Sequence, residues 1–534
     1  MLCCYSCIET DYTLGGNLVP TVETYTFHTV DIPLEGITMQ MADNMSGYSD
    51  SRITVGAIRE PEYGLTTRAS AFTLVPLFLN GKLNMGENPV LRRFHFAAAC
   101  DTLSALTPDQ LSILQQVHVY ELDKALDPSV DYDVNLPISH GMKSIVKGTP
   151  ILNGVDSLSF DFSDEFAQKY LHITQDDLKD METYLAKFPG IYIETEQPEG
   201  DGGRINMLDV QMSFDKNNYY ITGNIAALSY SAEFRGTRKD TTVYFWYGPT
   251  DFFALDSLLD AYTGTFPQYA LNYTGQQTRE RVGEAKEDIW IEGGGGLKPV
   301  ISALSLKHQV EQAIIAAGGN PMDAIINKAS LIFPFDFPED YQDMEFWPYR
   351  LSPTCRFVAD DYTTYMGLTD ASSSSENQGD VDRSLIRYAP DITYHMQEVL
   401  KIDETATDKT ATKNLLDGNY DIWLLVNALE TVTTVSSASK EQQEMYNYLA
   451  YSSYYNGMYG GYGGYGYGSG YSSYYNNYLT YAMLAQQMSQ SYTSTSTSVK
   501  LDVDRYYCAT LHGPEHPGGE VPILRLVYAL PNQE

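Results

Sequence analysis

Apolar and polar side chains alternate along much of this chain, and the dominant period is two. In TVETYTFHTVDI, Val22, Thr24, Thr26 and His28 fall on one face and Glu23, Tyr25, Phe27 and Thr29 on the other. That is the pattern of a half-buried strand. RITVGAIREPEYGLTTRASAFTLVPLFL predicts a strand, a Pro-Glu-Tyr-Gly turn and a second strand. VHVYELDKAL, NNYYITGNIAAL and TTVYFWYGP continue the series. EDIWIEGGGGLKPVISAL predicts a strand, a glycine loop and a further strand or turn. INKASLIFPFDFP, TCRFVADDY, NYDIWLLVNAL and VPILRLVYAL complete the strands.

Helical periodicity is sparse. Thr107, Pro108 and Asp109 predict a short helix start, with Thr as N-cap and Pro at the first helical position. TQDDLKDMETYLAKFPG predicts a helix with Thr174 as N-cap, Asp177 in the capping-box slot and a stop at Pro189-Gly190. LKHQVEQAIIAAGGN predicts a helix closed by Gly318-Gly319. ASSSSENQGD, 371–380, predicts a flexible loop. The fold class predicted is mainly β: two antiparallel β-sandwich, jelly-roll-like domains with a few inserted short helices, spanning 22–264 and 265–534.

Composition adds one oddity, 43 Tyr against 20 Phe and 4 Trp, which favours β structure with wet, amphipathic surfaces. The tyrosines concentrate in a Gly/Tyr-rich segment, 454–478, which predicts a long loop after the helix pattern SKEQQEMYNYLAYSS. Two readings stay open for it: a sticky aromatic contact surface through Tyr459, Tyr462, Tyr465, Tyr467 and Tyr471, or an inert expansion of a tolerant loop. The formal net charge of -35 argues against a nucleic-acid partner and against adhesion to anionic lipid. The most apolar run, ASAFTLVPLFL, is too short to span a bilayer.

Three of the six cysteines crowd the start, at Cys3, Cys4 and Cys7. Cys100, Cys355 and Cys508 sit singly among apolar neighbours and read as small buried hydrophobes. CCYSC lacks the second ligand pair of a zinc site. An attachment point fits better: Ser6 precedes Cys7, and a polar, acidic stretch follows, as where a bacterial lipoprotein signal is processed. Residues 1–6 then read as the remnant of a signal peptide and 7–21 as a lipidated tether. Acyl chains at about 0.8 kcal/mol per buried CH₂ anchor a protein without a transmembrane segment.

Other motifs weaken on context. The GxGxxG match at Gly461–Gly466 lies in a Gly/Tyr tract with no strand-to-helix turn. His512-Gly-Pro-Glu515-His516 matches H-x-x-E-H, but Gly513, Pro514 and Pro517-Gly518-Gly519 predict the loop of a terminal hairpin. Incidental metal binding by His512 and His516 stays open. EGGGGLK, 292–298, lacks phosphate-loop spacing, and its glycines predict close backbone passage. Acidic pairs such as Asp176-Asp177 and Asp360-Asp361 arise freely among 69 acids.

Several of these stretches, in their order, resemble the domain of unknown function 4270 family, surface lipoproteins of Bacteroidota. Gly56, the turn Glu60-Pro61-Glu62-Tyr63-Gly64, Ala69 and Phe72 resemble its opening strands. VHVYELDKALDPSVDYDVN, IWIEGGGGLKPVI, INKASLIFPF and LRLVYAL are similar to later elements, and CIETDYTLGGNLVP to its lipoprotein start. The resemblance implies export, acylation at Cys7 and attachment to the outer membrane, with the acids after Cys7 as an export tag. It brings no catalytic residues. Asp-Ser/Thr-apolar triplets at Asp101, Asp156 and Asp256 resemble an O-glycosylation sequon of these bacteria.

The function expected is therefore that of a non-enzymatic, surface-exposed outer-membrane lipoprotein without cofactor or metal. It would be an accessory subunit of an outer-membrane complex, with barrel-assembly machinery among the candidates. The alternative is a glycan-binding or adhesive module using Trp246, Trp290, Trp347 or Trp423 as platforms, although core packing suits those residues better.

Overall fold

The computed structural model describes residues 25–49, 52–77, 83–100, 113–247, 265–436 and 492–532, less positions 128–129, 131, 155–156, 210–211, 216–219, 267–269, 277–280, 340, 360–361, 374–377 and 503–504. The chain is mainly β, with large antiparallel sheets in a sandwich-type fold.

Fourteen strands between Tyr48 and Gln276 form one sheet. The sheet folds on itself because one run of chain serves two places in it. Gly64–Phe72 pairs with Arg52–Glu60, while Leu74–Leu77, after the buried Thr73, pairs with Thr237–Tyr247. Aromatic rings fill the space enclosed. Phe94 lies 4.6 Å from Phe162, and Phe96 lies 4.7 Å from Phe160. Offset and tilted contacts of this kind add to simple area burial. The helix Asp164–Leu171, which the periodicity did not predict, seals one side. Ser163 caps it by accepting from the Phe166 amide, and Phe166 and Tyr170, one turn apart, point into the core.

The second unit holds two main sheets. The five-stranded one runs Tyr25–Pro33, Ile523–Pro531, Ile325–Pro334, Arg387–Tyr388 and Val381–Asp382. The seven-stranded one includes Ile37–Met41, Leu297–Ile301, Ile422–Ser436 and Arg350–Ala359. Leu331, Phe333, Leu424, Val426, Leu524 and Leu526 belong to the core of this unit. Helix Ala303–Ala316 adds Leu306, Val310 and Ile314. Its end follows the sequence: Gly318, at φ 80°, donates to Ile315 O, and Gly319 donates to Ile314 O. That pairing is the Schellman stop.

Four expectations need correction. Strand pairing crosses the boundary drawn at 264/265. Tyr25–Pro33 pairs with Ile523–Pro531 and Ile37–Met41 with Leu297–Ile301, so the earliest strands belong to the second unit. Ala270–Gln276 pairs back with Gly64–Phe72 in the first. The helix expected from Thr174 begins only at Met181, capped by Asp180. Thr174 and Asp177 do exchange capping-box bonds at 2.8 and 3.3 Å, but they close a turn. The terminal hairpin is absent among the described residues: Cys508–His512 pairs with Asp288–Glu292, while Ile523–Pro531 crosses to another sheet. Thr369–Ser373 forms a short helix at the front of the expected 371–380 loop. The expected helix at Thr107 and the 454–478 segment lie outside the described residues.

Candidate functional site

Cys7 and Tyr459, Tyr462, Tyr465, Tyr467 and Tyr471 lie outside the described residues. The chemistry that can be built atom by atom belongs to the joint between the units and to the loop after His512.

At the joint, Ile58, Tyr63 and Ile205 of the first unit pack with Tyr506 and Cys508 of the second. The glycine loop lies in the same region. Its backbone curls until the carbonyls of Glu292, Gly294 and Gly296 all accept from Lys298 Nζ, the last two at 2.9 and 3.0 Å. Glu292 Oε2 accepts from the Leu297 amide at 3.1 Å. A side chain there would have to displace its neighbours: a Cβ on Gly293 would lie 2.4 Å from Asp502 Oδ2, and one on Gly295 2.1 Å from Asn135 Nδ2. The close passage expected of these glycines is thus what they provide. Arg68, from the first unit, donates to the carbonyl of Arg505. Arg68, Glu292, Lys298, Asp502 and Arg505 are all buried. Burial pushes the Lys298 ammonium down to about 7, against the pull of Glu292 and Asp502. A phosphate loop turns amides inward; this one turns carbonyls inward, and the cation they hold is the chain's own lysine.

Beside the joint lies an open groove of about 540 Å³, lined by Arg281, Glu284, Glu287, Trp290 and Glu515 among others. The Arg281 guanidinium sits 3.6 Å over the Trp290 ring, and Tyr63 meets that ring edge-on at 5.1 Å. The aromatic face is therefore already covered by the chain itself. Trp246 and Trp423 are buried, and Trp347 packs against Phe335 with ring centres 4.5 Å apart and planes tilted by 47°.

The HGPEH stretch forms a turn with both histidine rings stacked, their centres 3.6 Å apart and their planes 6° from parallel. Gly513 makes this possible. Its amide donates to Glu287 O at 2.7 Å, and a Cβ there would lie 2.1 Å from Lys286 O. Glu515 turns away to line the groove, its amide donating to Lys286 O. The H-x-x-E-H arrangement of a zinc protease is therefore not formed, since that mechanism needs the glutamate beside the histidine nitrogens. Asp336, at the end of Ile325–Pro334, brings a carboxylate oxygen 3.3 Å from His512 Nε2.

The remaining candidates resolve simply. Cys355 and Cys508 are buried as expected, Cys100 is half-buried, and burial pushes the Cys355 thiol up to about 12, far from a reactive thiolate. Asp177 is taken up by Thr174 and by Lys187 at 2.7 Å. Asp101, Asp156, Asp256, Asp360 and Asp361 lie outside the described residues. Sequence reasoning missed Arg68, Asp502 and Asp336. Each is one charge among many, and only the fold brings it to its partners. Compared with known proteins, the chain matches no family, no curated protein and no solved structure.

Proposed function

We propose that this is a non-enzymatic outer-membrane lipoprotein, anchored through acylated Cys7, whose two β units form a docking body for an outer-membrane partner. The family resemblance and the Ser6-Cys7 setting support the anchor. One structural observation carries the reading: the first described strand after Cys7, Tyr25–Pro33, is held in register along its whole length by Ile523–Pro531. A tether at Cys7 would enter the body there, at a sheet edge where Tyr25 and Phe27 are exposed. Load on the anchor passes straight into the second unit, and the buried joint couples it to the first. The glycan-binding alternative loses Trp246 and Trp423 to core positions.

The test is co-purification. The native protein, extracted in mild detergent and captured through a C-terminal tag, is expected to bring an integral outer-membrane protein with it in stoichiometric amount. Recovery as a lone monomer under several mild detergents would count against a docking role.

A further inference from the structure

We propose that Ser159 is a reactive serine, a site at which the chain accepts an acyl group from a small activated ester or thioester, with His95 as general base and Asp161 positioning it. Alternation builds the cluster. Phe94, Phe96, Phe160 and Phe162 belong to the core, so the residues between them, His95, Ser159 and Asp161, face outward. The strand Leu158–Asp161 pairs with Glu87–Cys100 so that Asp161 stands opposite His95 and Ser159 opposite Ala97. One short strand thus sets a hydroxyl and a carboxylate two residues apart on one face, both within reach of the same imidazole.

His95 Nδ1 lies 2.8 Å from Asp161 Oδ1, and His95 Nε2 lies 3.2 Å from Ser159 Oγ. A carboxylate oxygen only accepts, so Nδ1 carries the ring hydrogen and Nε2 accepts from the serine hydroxyl. Arg93 holds the same carboxylate oxygen, its Nε donating at 2.6 Å, and its Nη2 lies 2.9 Å from Nδ1. The carboxylate still decides the tautomer, because a bare Nδ1 would set its lone pair against that oxygen at 2.8 Å. Burial raises the Asp161 carboxyl, but the bonds from His95 and Arg93 outweigh it and hold the group below its usual range. Nucleophile, base and orienting carboxylate are the parts of an activated serine.

Ser159 is exposed, and the neighbours across the sheet are small: Ala97 opposite it, and Ala227 opposite His95 on the next strand. An ester carbonyl can therefore reach Oγ from outside. As Oγ bonds to the acyl carbon, its proton passes to His95 Nε2. The bond from that carbon to the alcohol or thiol then breaks, and the leaving group takes the proton from Nε2. The ladder bonds of this strand pair fall on alternate residues, as Phe162 N donating to Phe94 O at 2.9 Å shows. The Ser159 amide therefore points away from the partner strand, where it can donate to the oxyanion. One transfer per chain makes the protein an acyl acceptor, compatible with the docking role and independent of it.

The experiment uses the purified full chain and p-nitrophenyl acetate, with released p-nitrophenolate followed by absorbance and the acetylated residue mapped by mass spectrometry. The expected result is one equivalent released per chain and an acetyl group on Ser159, formed faster than on the same residue of the chain unfolded in urea. Ser159→Ala is expected to lose that phase, and His95→Gln to slow it about a hundredfold. Asp161→Asn is expected to slow it about tenfold or more, and Asp161→Glu to recover part of the rate with the pH profile of the wild type. Ser159 is exposed, so its variant keeps the test decisive even if His95→Gln folds poorly. The proposal is overturned if Ser159 is acetylated no faster in the folded chain than in the unfolded one, if His95→Gln reacts as the wild type does, or if release runs well past one equivalent.

Discussion

Individual side chains decide the energetics at the joint. Lys298 is held by three carbonyls and two nearby carboxylates in a site closed to water. Lys298→Met removes the cation and leaves those acceptors buried, so a loss on the order of 3 kcal/mol is expected in denaturant unfolding. His395 makes a second prediction. Burial pushes it down to about 4 from an unfolded value of 6.5, while its Nε2 faces the Tyr420 carbonyl at 3.0 Å. Since the folded value is the lower one, the unfolded chain takes up the proton first as pH falls. Stability is therefore expected to drop between pH 6.5 and about 4, by roughly 3 kcal/mol from this group. His395→Gln flattens that slope, and unfolding midpoints measured across the window check it. The glycine loop's need for close passage was legible in four consecutive glycines. The charged surroundings of Lys298 were not, because Arg68 and Asp502, which act on it, come from distant parts of the chain.

At the scale of elements, alternation and stop signals carried most of the information. The Gly318-Gly319 end of the long helix was legible because the Schellman stop is a local device. The helix start at Thr174 misled for a related reason. Thr174 and Asp177 make their reciprocal bonds wherever four residues turn, and here Asp180 takes over as the cap. Strand pairs explain the glycines of the resemblance region. Gly56 faces Ile205, and a Cβ there would lie 2.2 Å from the Arg204 carbonyl; Gly203 repeats the contact 2.1 Å from Ala57 O. Gly56→Ala must push the two strands apart. A loss on the order of 2 kcal/mol is expected in thermal or denaturant melts, and a neutral result would show that the strands can yield.

For the whole molecule, the sandwich class followed from short strands and turn signals, but the order of assembly did not. The first and last described strands share one unit: Tyr25–Pro33 closes on Ile523–Pro531, with the fourteen-stranded unit inserted between. Period-two patterning marks a strand's buried face and is silent about its neighbour, so pairing across nearly the full chain was not readable. The proposed anchor at Cys7 is the part of the account most open to direct test. Cells expressing the gene from its native locus would be fed a fatty-acid probe, with wild type and Cys7→Ser compared. The account predicts a labelled wild-type protein in the outer-membrane fraction and no label on Cys7→Ser. Label that survives the substitution, or a wild type that never acquires it, would contradict the account.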